Sequence, residues 1–574
     1  MKSIRHNYDV CVIGGGIAGL CAAIAAARGG AKTAIVHDRP VFGGNSSSEI
    51  RVHVCGADRH NTVPNMRETG ILEEFRMENL RRNPQRSFSI WDTILYEAVL
   101  LEPNLHHYLN CSVFDAQTER FRINSVTGWQ LTTYTKHVFE AAIFVDCSGD
   151  AVLAPLTGAH YRVGREARSE YNESAAPEIA DRKTMGMTCL FQAKNMGFPQ
   201  PFERPSWAYE YPADDDLPER WHGWFEMGYW WIELGGEDDS VHDTERVRDE
   251  LIKIVYGIWD HIKNHGDHGA ANWALDWVQF LPGKRESRRY VGAHVLTQND
   301  ILSGGRFEDV VAYGGWKMDD HNPAGFRHKG PPTNFYDCPS PYGIPYRCLF
   351  SRNVENLMFA GRCASASHMA MSSARVMGTG ASMGQAAGTA AAMAVKSNAL
   401  PRDISGRVRE LQQSLLRQDA YLPGVRQQFS PITLAAKIAA SKGNPEPLRD
   451  GINRPVGDDT HSWSGEVGDF VSFEWERPEH VESVSLVFDS ALHRLVAMSY
   501  HQWDDQLRRV PEEMVKDFRI EVKSGGDWQL WKRVTGNYKR LARVEINAEV
   551  TGVRAVFDST WGSPVVRLFA FYLE

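Results

Sequence analysis

An α/β protein built on a discontinuous parallel sheet, with an inserted α+β cap and a C-terminal β-sandwich, is the fold class the sequence predicts. Three observations predict it. The run "YDVCVIGGGIAGLCAAIAAARGGAKTAIVHD" at 8–38 reads as strand, Gly-rich turn, helix and strand. After Asn356 the same texture returns in "NLMFAGRCASASHMAMSSARVMGTGASMGQAAGTAAAMAVKS". Beyond the Gly-, Pro- and Asn-rich stretch 441–459, seven short strands separated by turns follow, which is the pattern of a sandwich.

Each element follows from local pattern. Residues 8–13 form a buried apolar strand, 17–28 an Ala-rich helix ended by Gly29-Gly30, and 32–36 the next strand, together one βαβ unit. A β-meander is expected over 105–145, and a strand with a special ending at "AAIFVDCSGDAVLAPLTGA", 141–159. From about residue 160 the texture turns to aromatics, acids and Pro; nine of the 17 tryptophans lie between Trp207 and Trp316, which suggests a separate cap. The expected domains are 1–160, first part of the nucleotide-binding domain; 161–300, the substrate cap; 301–440, the second part with a helical tail; and 441–574, the sandwich.

Bulk numbers narrow the function. At 574 residues two or three domains are expected. The net charge of −9 argues against a nucleic-acid partner. The nine cysteines form no CxxC pair and are odd in number, which weighs against both a disulfide framework and a zinc or iron–sulfur cluster. No metal is expected. The N-terminus runs directly into the first strand, and Gly, Arg or Lys break every apolar run short of a bilayer span. A cytoplasmic protein with no membrane span is therefore expected.

Gly14-x-Gly16-x-x-Gly19, between a strand and a helix, has the spacing of a dinucleotide cradle: Gly14 for the turn, Gly16 for close approach to a pyrophosphate, Gly19 for helix–sheet packing. Further along stand "DRPVFGGNSSSEIR", "FVDCSGDA", "GKRESRRYVG", "YGIPYRCL" and the long motif after Asn356. In this order the set resembles the FAD-dependent oxidoreductase family of the glutathione-reductase type, flavoproteins often found in bacterial carbohydrate loci and related in layout to fumarate reductase-like flavoenzymes. The resemblance spans roughly residues 8–420. The C-terminal segment resembles a galactose-binding-like module.

The resemblance implies a discontinuous, Rossmann-like FAD-binding domain. It puts Val113 in the strand beside adenine, and Asp146, Gly149 and Asp150 in the second nucleotide-fold signature. Gly43, Gly44 and Asn45 would lead past the phosphates, with Ser46 to Ser48 near the ring. Gly361 and Arg362 would end the returning strand. A helix from about Thr379, with Gly380 in its first turn, would aim its N-terminus at the flavin. Gly384 and Gly388 read more simply as helix-packing residues.

One position departs from the family. Its usual ribose-binding Glu falls on His37, followed by Asp38 and Arg39. A neutral imidazole can exchange a hydrogen bond with a ribose hydroxyl, Asp38 offers a carboxylate one residue on, and Arg39 can stack on adenine or reach a phosphate. The alternative is that His37 is only a strand end. No second GxGxxG appears, so no NAD(P)H domain is expected and the electron acceptor is unknown.

For the chemistry, Arg285, Arg288 and Arg289 form a basic group, and Arg288 is a candidate clamp for an anionic or polyhydroxylated substrate, or an internal partner of Glu286. His321, His368 and His53 are candidate bases, each also readable as a structural histidine; His53 is additionally a candidate for covalent flavin attachment. The expected reaction is dehydrogenation of a hydroxyl-bearing small molecule such as a sugar or glycoside, with hydride passing to flavin N5. Alternatives are reduction of a C=C bond in an unsaturated carboxylate, and a carbohydrate-binding protein with a structural flavin. A homo-oligomer is compatible with the sequence.

Overall fold

Strand β1 (Lys2–Ile13) lies near the centre of a seven-stranded sheet whose order is β3-β2-β1-β6-β5-β4, with β7 added on β6. Here β2 is Thr33–Val36, β3 Leu105–Tyr108, β4 Cys111–Glu119, β5 Arg122–Gln130, β6 Thr135–Asp146 and β7 Leu357–Phe359. β1 pairs in parallel with β2 and β6, and β7 pairs in parallel with β6, so a strand from residue 357 closes a sheet begun at residue 2. β4 and β5 are antiparallel additions, the meander expected from sequence. The end of β1, Val10–Ile13, is buried because helices cover it, as a parallel sheet requires. The structure is a computed structural model and describes residues 2–574.

Helix α1 (Ile17–Arg28) follows the Gly-rich turn, and ten of its twelve residues are buried. Its Ala-rich composition favours helix and keeps the surface small enough for a second helix to approach. That helix is α3 (Met377–Lys396), and the two meet backbone to backbone. A Cβ on Gly384 would stand 2.0 Å from Ala18 O, and one on Gly388 2.0 Å from Ala22 O. Their role is helix–helix packing.

The cap has its own core. Helix α2 (Thr244–Asn264) buries Val247, Leu251, Ile254, Val255, Ile258, Trp259 and Ile262, a stripe at helical spacing. These pack with Phe191, Phe225, Tyr229 and Trp231. The tryptophans thus divide: Trp231 and Trp259 are core, while Trp221, Trp224 and Trp230 are 58%, 47% and 42% exposed. No helix among the described residues is long and apolar enough to cross a membrane.

The chain divides into two units. The first runs to Arg59, resumes over Arg86–Val408 and includes Ala497–Asp504; the second comprises His60–Gln85, Arg409–Val496 and Asp505–Glu574. The second is an antiparallel β unit of strands β8 (Lys437–Ala440), β9 (Trp463–Glu466), β10 (Phe470–Phe488), β11 (Val515–Ser524), β12 (Asp527–Val534), β13 (Leu541–Thr560) and β14 (Val565–Leu573). Its core takes Met77 and Leu80 from the helix Ile71–Arg82, a segment the sequence reading had left within 1–160. Buried charge holds that segment there. Arg67 pairs with Glu73 at 2.8 Å and donates to the carbonyls of Ser490, Ala491 and Arg494, while Arg454 donates to the carbonyls of Asn65 and Arg67. A pair removed from water in this way needs every remaining proton satisfied, and these carbonyls supply the acceptors.

Candidate functional site

Two Gly-rich turns cross at the C-terminal ends of the parallel strands. Gly43 N donates to Gly15 O at 2.9 Å, and Gly16 and Gly43 form an isolated parallel bridge. A Cβ on Gly44 would come within 3.0 Å of Gly16 Cα, and Gly44 has φ +57°. The crossing makes the floor of a cleft whose wall includes Gly14, His37, Asp38, Arg39, Asn45 and Gly149. Asp150, Gly361, Arg362 and Gly380 line it as well, so residues drawn from four distant stretches of sequence meet there. The start of α3 also points into it, bringing the positive end of the helix.

Some expected residues stand behind the wall instead. Gly19 backs the first turn, where a Cβ would lie 1.9 Å from Gly14 O. Ser46 is buried, donating to Gly43 O and accepting from Trp91 Nε1. Val113 is buried in the sheet core; Cys111, two residues earlier, donates its amide to His37 O. Asp146 is a loop anchor, accepting from Ser148, the Leu153 amide and the Tyr290 hydroxyl.

The wall suits a dinucleotide. His37 Nδ1 accepts the Gly15 amide at 3.0 Å, which leaves the proton on Nε2. That Nε2 and Arg362 Nη1 are both buried and have no protein hydrogen-bond partner. An unpartnered buried N–H and an unpartnered guanidinium nitrogen on one wall are groups that the hydroxyls and phosphates of a dinucleotide would satisfy. Asp150 is held by Lys284 at 2.7 Å and Ser287 at 2.7 Å. Burial alone would raise its carboxyl, but the charges of Lys284 and Arg362 more than offset this and keep it below the ordinary range. Lys284 and Arg375 are cleft cations the sequence reading passed over. Both lie inside motifs that carry the family resemblance, Lys284 one residue before the arginine group, and nothing in the local pattern distinguishes which cation faces inward.

From Arg375 a chain of buried ions leads away from the cleft. Arg375 Nη2 donates to Asp319 Oδ2 at 2.9 Å, and Asp319 Oδ2 is 3.2 Å from His321 Nε2. His321 Nδ1 is 2.6 Å from Glu233 Oε2, which lies 3.4 Å from Arg285. Trp230 stands edge-on to the His321 ring, centroids 5.3 Å apart. Burial would raise the Glu233 carboxyl, but the neighbouring Arg285 and His321 bring it below its ordinary value.

His368 is clasped more tightly. Its Nδ1 is 2.8 Å from Glu286 and its Nε2 2.9 Å from Asp320. Burial would lower its pKa, but the two carboxylates raise it to about 10. An imidazolium donating from both nitrogens has no lone pair for a substrate proton, so this geometry makes His368 a structural cation and not a base. Arg289 is likewise internal, bonded to Glu166. Arg288 faces away from the cleft, onto a separate groove with Tyr161, Asp239 and His242, and lies 6.0 Å from the Tyr161 ring centre. It is not placed to clamp a substrate in the cleft. His53 packs its ring against Trp503 at 5.7 Å; neither it nor His321 lines the cleft, which His321 reaches only through Asp319 and Arg375.

A family model described as FAD dependent oxidoreductase matches residues 9–415. Soluble pyridine nucleotide transhydrogenase of Stutzerimonas stutzeri is 34% identical over 91 residues, covering 15% of this chain and 20% of that protein. The Ectopseudomonas mendocina protein of the same name is 35% identical over 88 residues, covering 14% and 19%. The chain thus spans about a fifth of the length of the curated relatives it matches. Among solved structures, a geranylgeranyl bacteriochlorophyll reductase-like protein from Thermoplasma acidophilum is similar over 72% of this chain and 86% of its own, at 12% identity and TM-score 0.33. The family 32 carbohydrate-binding module from Streptococcus pneumoniae EndoD is similar over 25% of this chain and 99% of the module, at 19% identity and TM-score 0.20.

Proposed function

The chain belongs to the FAD-dependent oxidoreductase family, and from that premise we propose that it dehydrogenates a hydroxyl-bearing small molecule of carbohydrate type, with His321 accepting the hydroxyl proton. It is an FAD enzyme; bound FAD supplies the two-electron acceptor for the carbon-bound hydrogen. The observation that carries the reading is the exposed Trp230 ring set against His321, which the ionic chain ties through Arg375 to the cleft wall.

Like His368, His321 has a carboxylate at each ring nitrogen, Glu233 at 2.6 Å from Nδ1 and Asp319 at 3.2 Å from Nε2. It becomes a base only where substrate displaces Asp319, with Glu233 keeping Nδ1 protonated. Asp319 is the looser partner, 3.2 Å from Nε2, and is itself bound more closely by Thr333 at 2.6 Å and Arg375 at 2.9 Å. A hydroxyl arriving beside Trp230 takes the place of Asp319 at Nε2. The exposed indoles of Trp221, Trp224 and Trp230 offer flat apolar faces to the C–H surface of a sugar ring.

A second reading is reduction of a C=C bond in an unsaturated carboxylate, favoured by the cations Lys284, Arg362 and Arg375 on the cleft wall. The family assignment makes the chain an enzyme, so a binding protein with an idle flavin is set aside. Anaerobic mixing of the purified flavoprotein with sugars, glycosides and organic acids tests the proposal. Bleaching by a neutral polyol or glycoside is expected. If none bleaches it, and the reduced enzyme is reoxidised by an unsaturated acid, the second reading replaces the first.

A further inference from the structure

Asp214, His222, His261 and His268, all in the cap, each bring one ligand-capable atom to within 4.8 Å of the others. Asp214 opens a short 3-10 turn ahead of Trp221, His222 stands between Trp221 and Trp224, His261 is in the last turn of α2, and His268 in the loop after it. The three rings lie 4.8–5.1 Å apart between centroids.

The remaining nitrogens explain the arrangement. His261 Nδ1 is 2.7 Å from Tyr211 O, His222 Nδ1 is 2.8 Å from Arg220 O, and His268 Nε2 is 3.0 Å from His265 O. A carbonyl only accepts, so each of these nitrogens carries a proton. In a neutral ring the opposite nitrogen is then a lone pair: Nε2 of His222, Nε2 of His261 and Nδ1 of His268. Backbone carbonyls orient metal-binding histidines in this way, fixing the tautomer from the outer side. His261 Nε2 already stands 3.0 Å from Asp214 Oδ1, and His222 Nε2 4.0 Å from the same oxygen. With protons alone, the His261–Asp214 contact demands an imidazolium wedged against two more imidazoles. A divalent cation satisfies all four groups at once.

We propose that these four residues form a zinc site. Three imidazole nitrogens and a carboxylate oxygen are a tetrahedral donor set for Zn²⁺; calcium and magnesium want oxygen, and copper(I) wants sulfur. Four protein ligands close the site, so the metal is structural. It ties the loop carrying Trp221 and Trp224 to the end of α2. The same loop is braced by Trp231 Nε1 on Trp221 O at 2.9 Å and Tyr229 OH on His222 O at 2.6 Å. The zinc assignment stands independently of the substrate reading.

The test is metal content of the flavoprotein after loading with Zn²⁺ and dialysis into metal-free buffer, read beside its flavin absorbance. About one zinc per chain is expected in the unaltered protein. His222→Gln and Asp214→Asn are each expected to lose it while keeping their flavin; Asp214 is exposed, so that variant is the safer folder. Cobalt(II) in place of zinc is expected to give the intense visible bands of tetrahedral coordination, absent in both variants. Failure of the unaltered protein to retain zinc overturns the site, as does equal zinc in the folded variants.

Discussion

His37 Nδ1 accepts the Gly15 amide at 3.0 Å, so the residue at the end of β2 is built into the Gly-rich turn it faces. The family's usual Glu at this place accepts from the ribose. His37 lines the cleft and its buried Nε2–H has no protein partner, so a ribose hydroxyl placed against it would meet a donor. His37→Ala removes that donor and orphans the Gly15 amide. The expected loss is about 1–2 kcal/mol, roughly a five- to thirty-fold rise in the FAD dissociation constant. Titration of the apoprotein with FAD measures it, and an unchanged constant returns His37 to a purely structural role.

How much of this was legible in sequence depends on the range of the interaction. Gly14 and Gly16 could be read because backbone geometry at a βα turn leaves a local signature, and Gly361 and Arg362 followed from the family resemblance. The return of the sheet at β7 was legible for the same reason. The allotment of 60–85 to the second unit was not, since it rests on Arg67 and Arg454, whose carbonyl partners lie hundreds of residues away. The histidines show the same limit. His321 follows two acids in sequence and His368 has none nearby, while Glu233 and Glu286, which define their roles, lie more than 80 residues away along the chain. Direction was equally hidden: of neighbouring cations, Lys284 faces the cleft and Arg288 faces away.

The Glu233–His321 pair should split binding from chemistry. His321→Gln keeps a side chain that can bond both carboxylates but cannot take up a proton. If His321 is the base, the anaerobic rate of flavin reduction falls by about 10²–10⁴-fold with flavin content close to unaltered, beside a lower melting temperature because two buried carboxylates lose a ring partner. Stopped-flow reduction with a substrate found in the bleaching panel gives the rate. A drop of less than a few-fold assigns the proton to another acceptor.

The α1–α3 contact should be intolerant of a single methyl. At Gly384 the added Cβ of Ala would meet backbone, Ala18 O at 2.0 Å, and backbone cannot swing aside as a long side chain can. The helices must separate, and α3 also carries Gly380 on the cleft wall. Gly384→Ala is expected to cost about 1–3 kcal/mol despite the better helix propensity of Ala. A lower melting temperature with weaker FAD retention is the expected pair of results. A gain in stability would show that propensity outweighs the clash.

The clasp on His368 makes a prediction about pH. Its ring has a pKa near 10 in the folded protein against an ordinary 6.5, so the folded state holds a proton that the unfolded chain gives up first. The stabilisation is complete below pH about 6.5 and is lost as pH rises through about 10, at up to about 1.4 kcal/mol per pH unit. On the acid side, burial would raise Glu286 and Asp320, but His368 and its cationic neighbours hold both below their ordinary values. Their contribution is present above the ordinary carboxylate range and is lost as pH falls through the lowered values. Melting temperature should therefore be highest in mildly acidic buffer and decline toward pH 10. His368→Gln, which carries no titrating proton, should melt lower at pH 6 and show a flatter alkaline limb. An alkaline limb equally steep in both proteins would place the controlling group elsewhere.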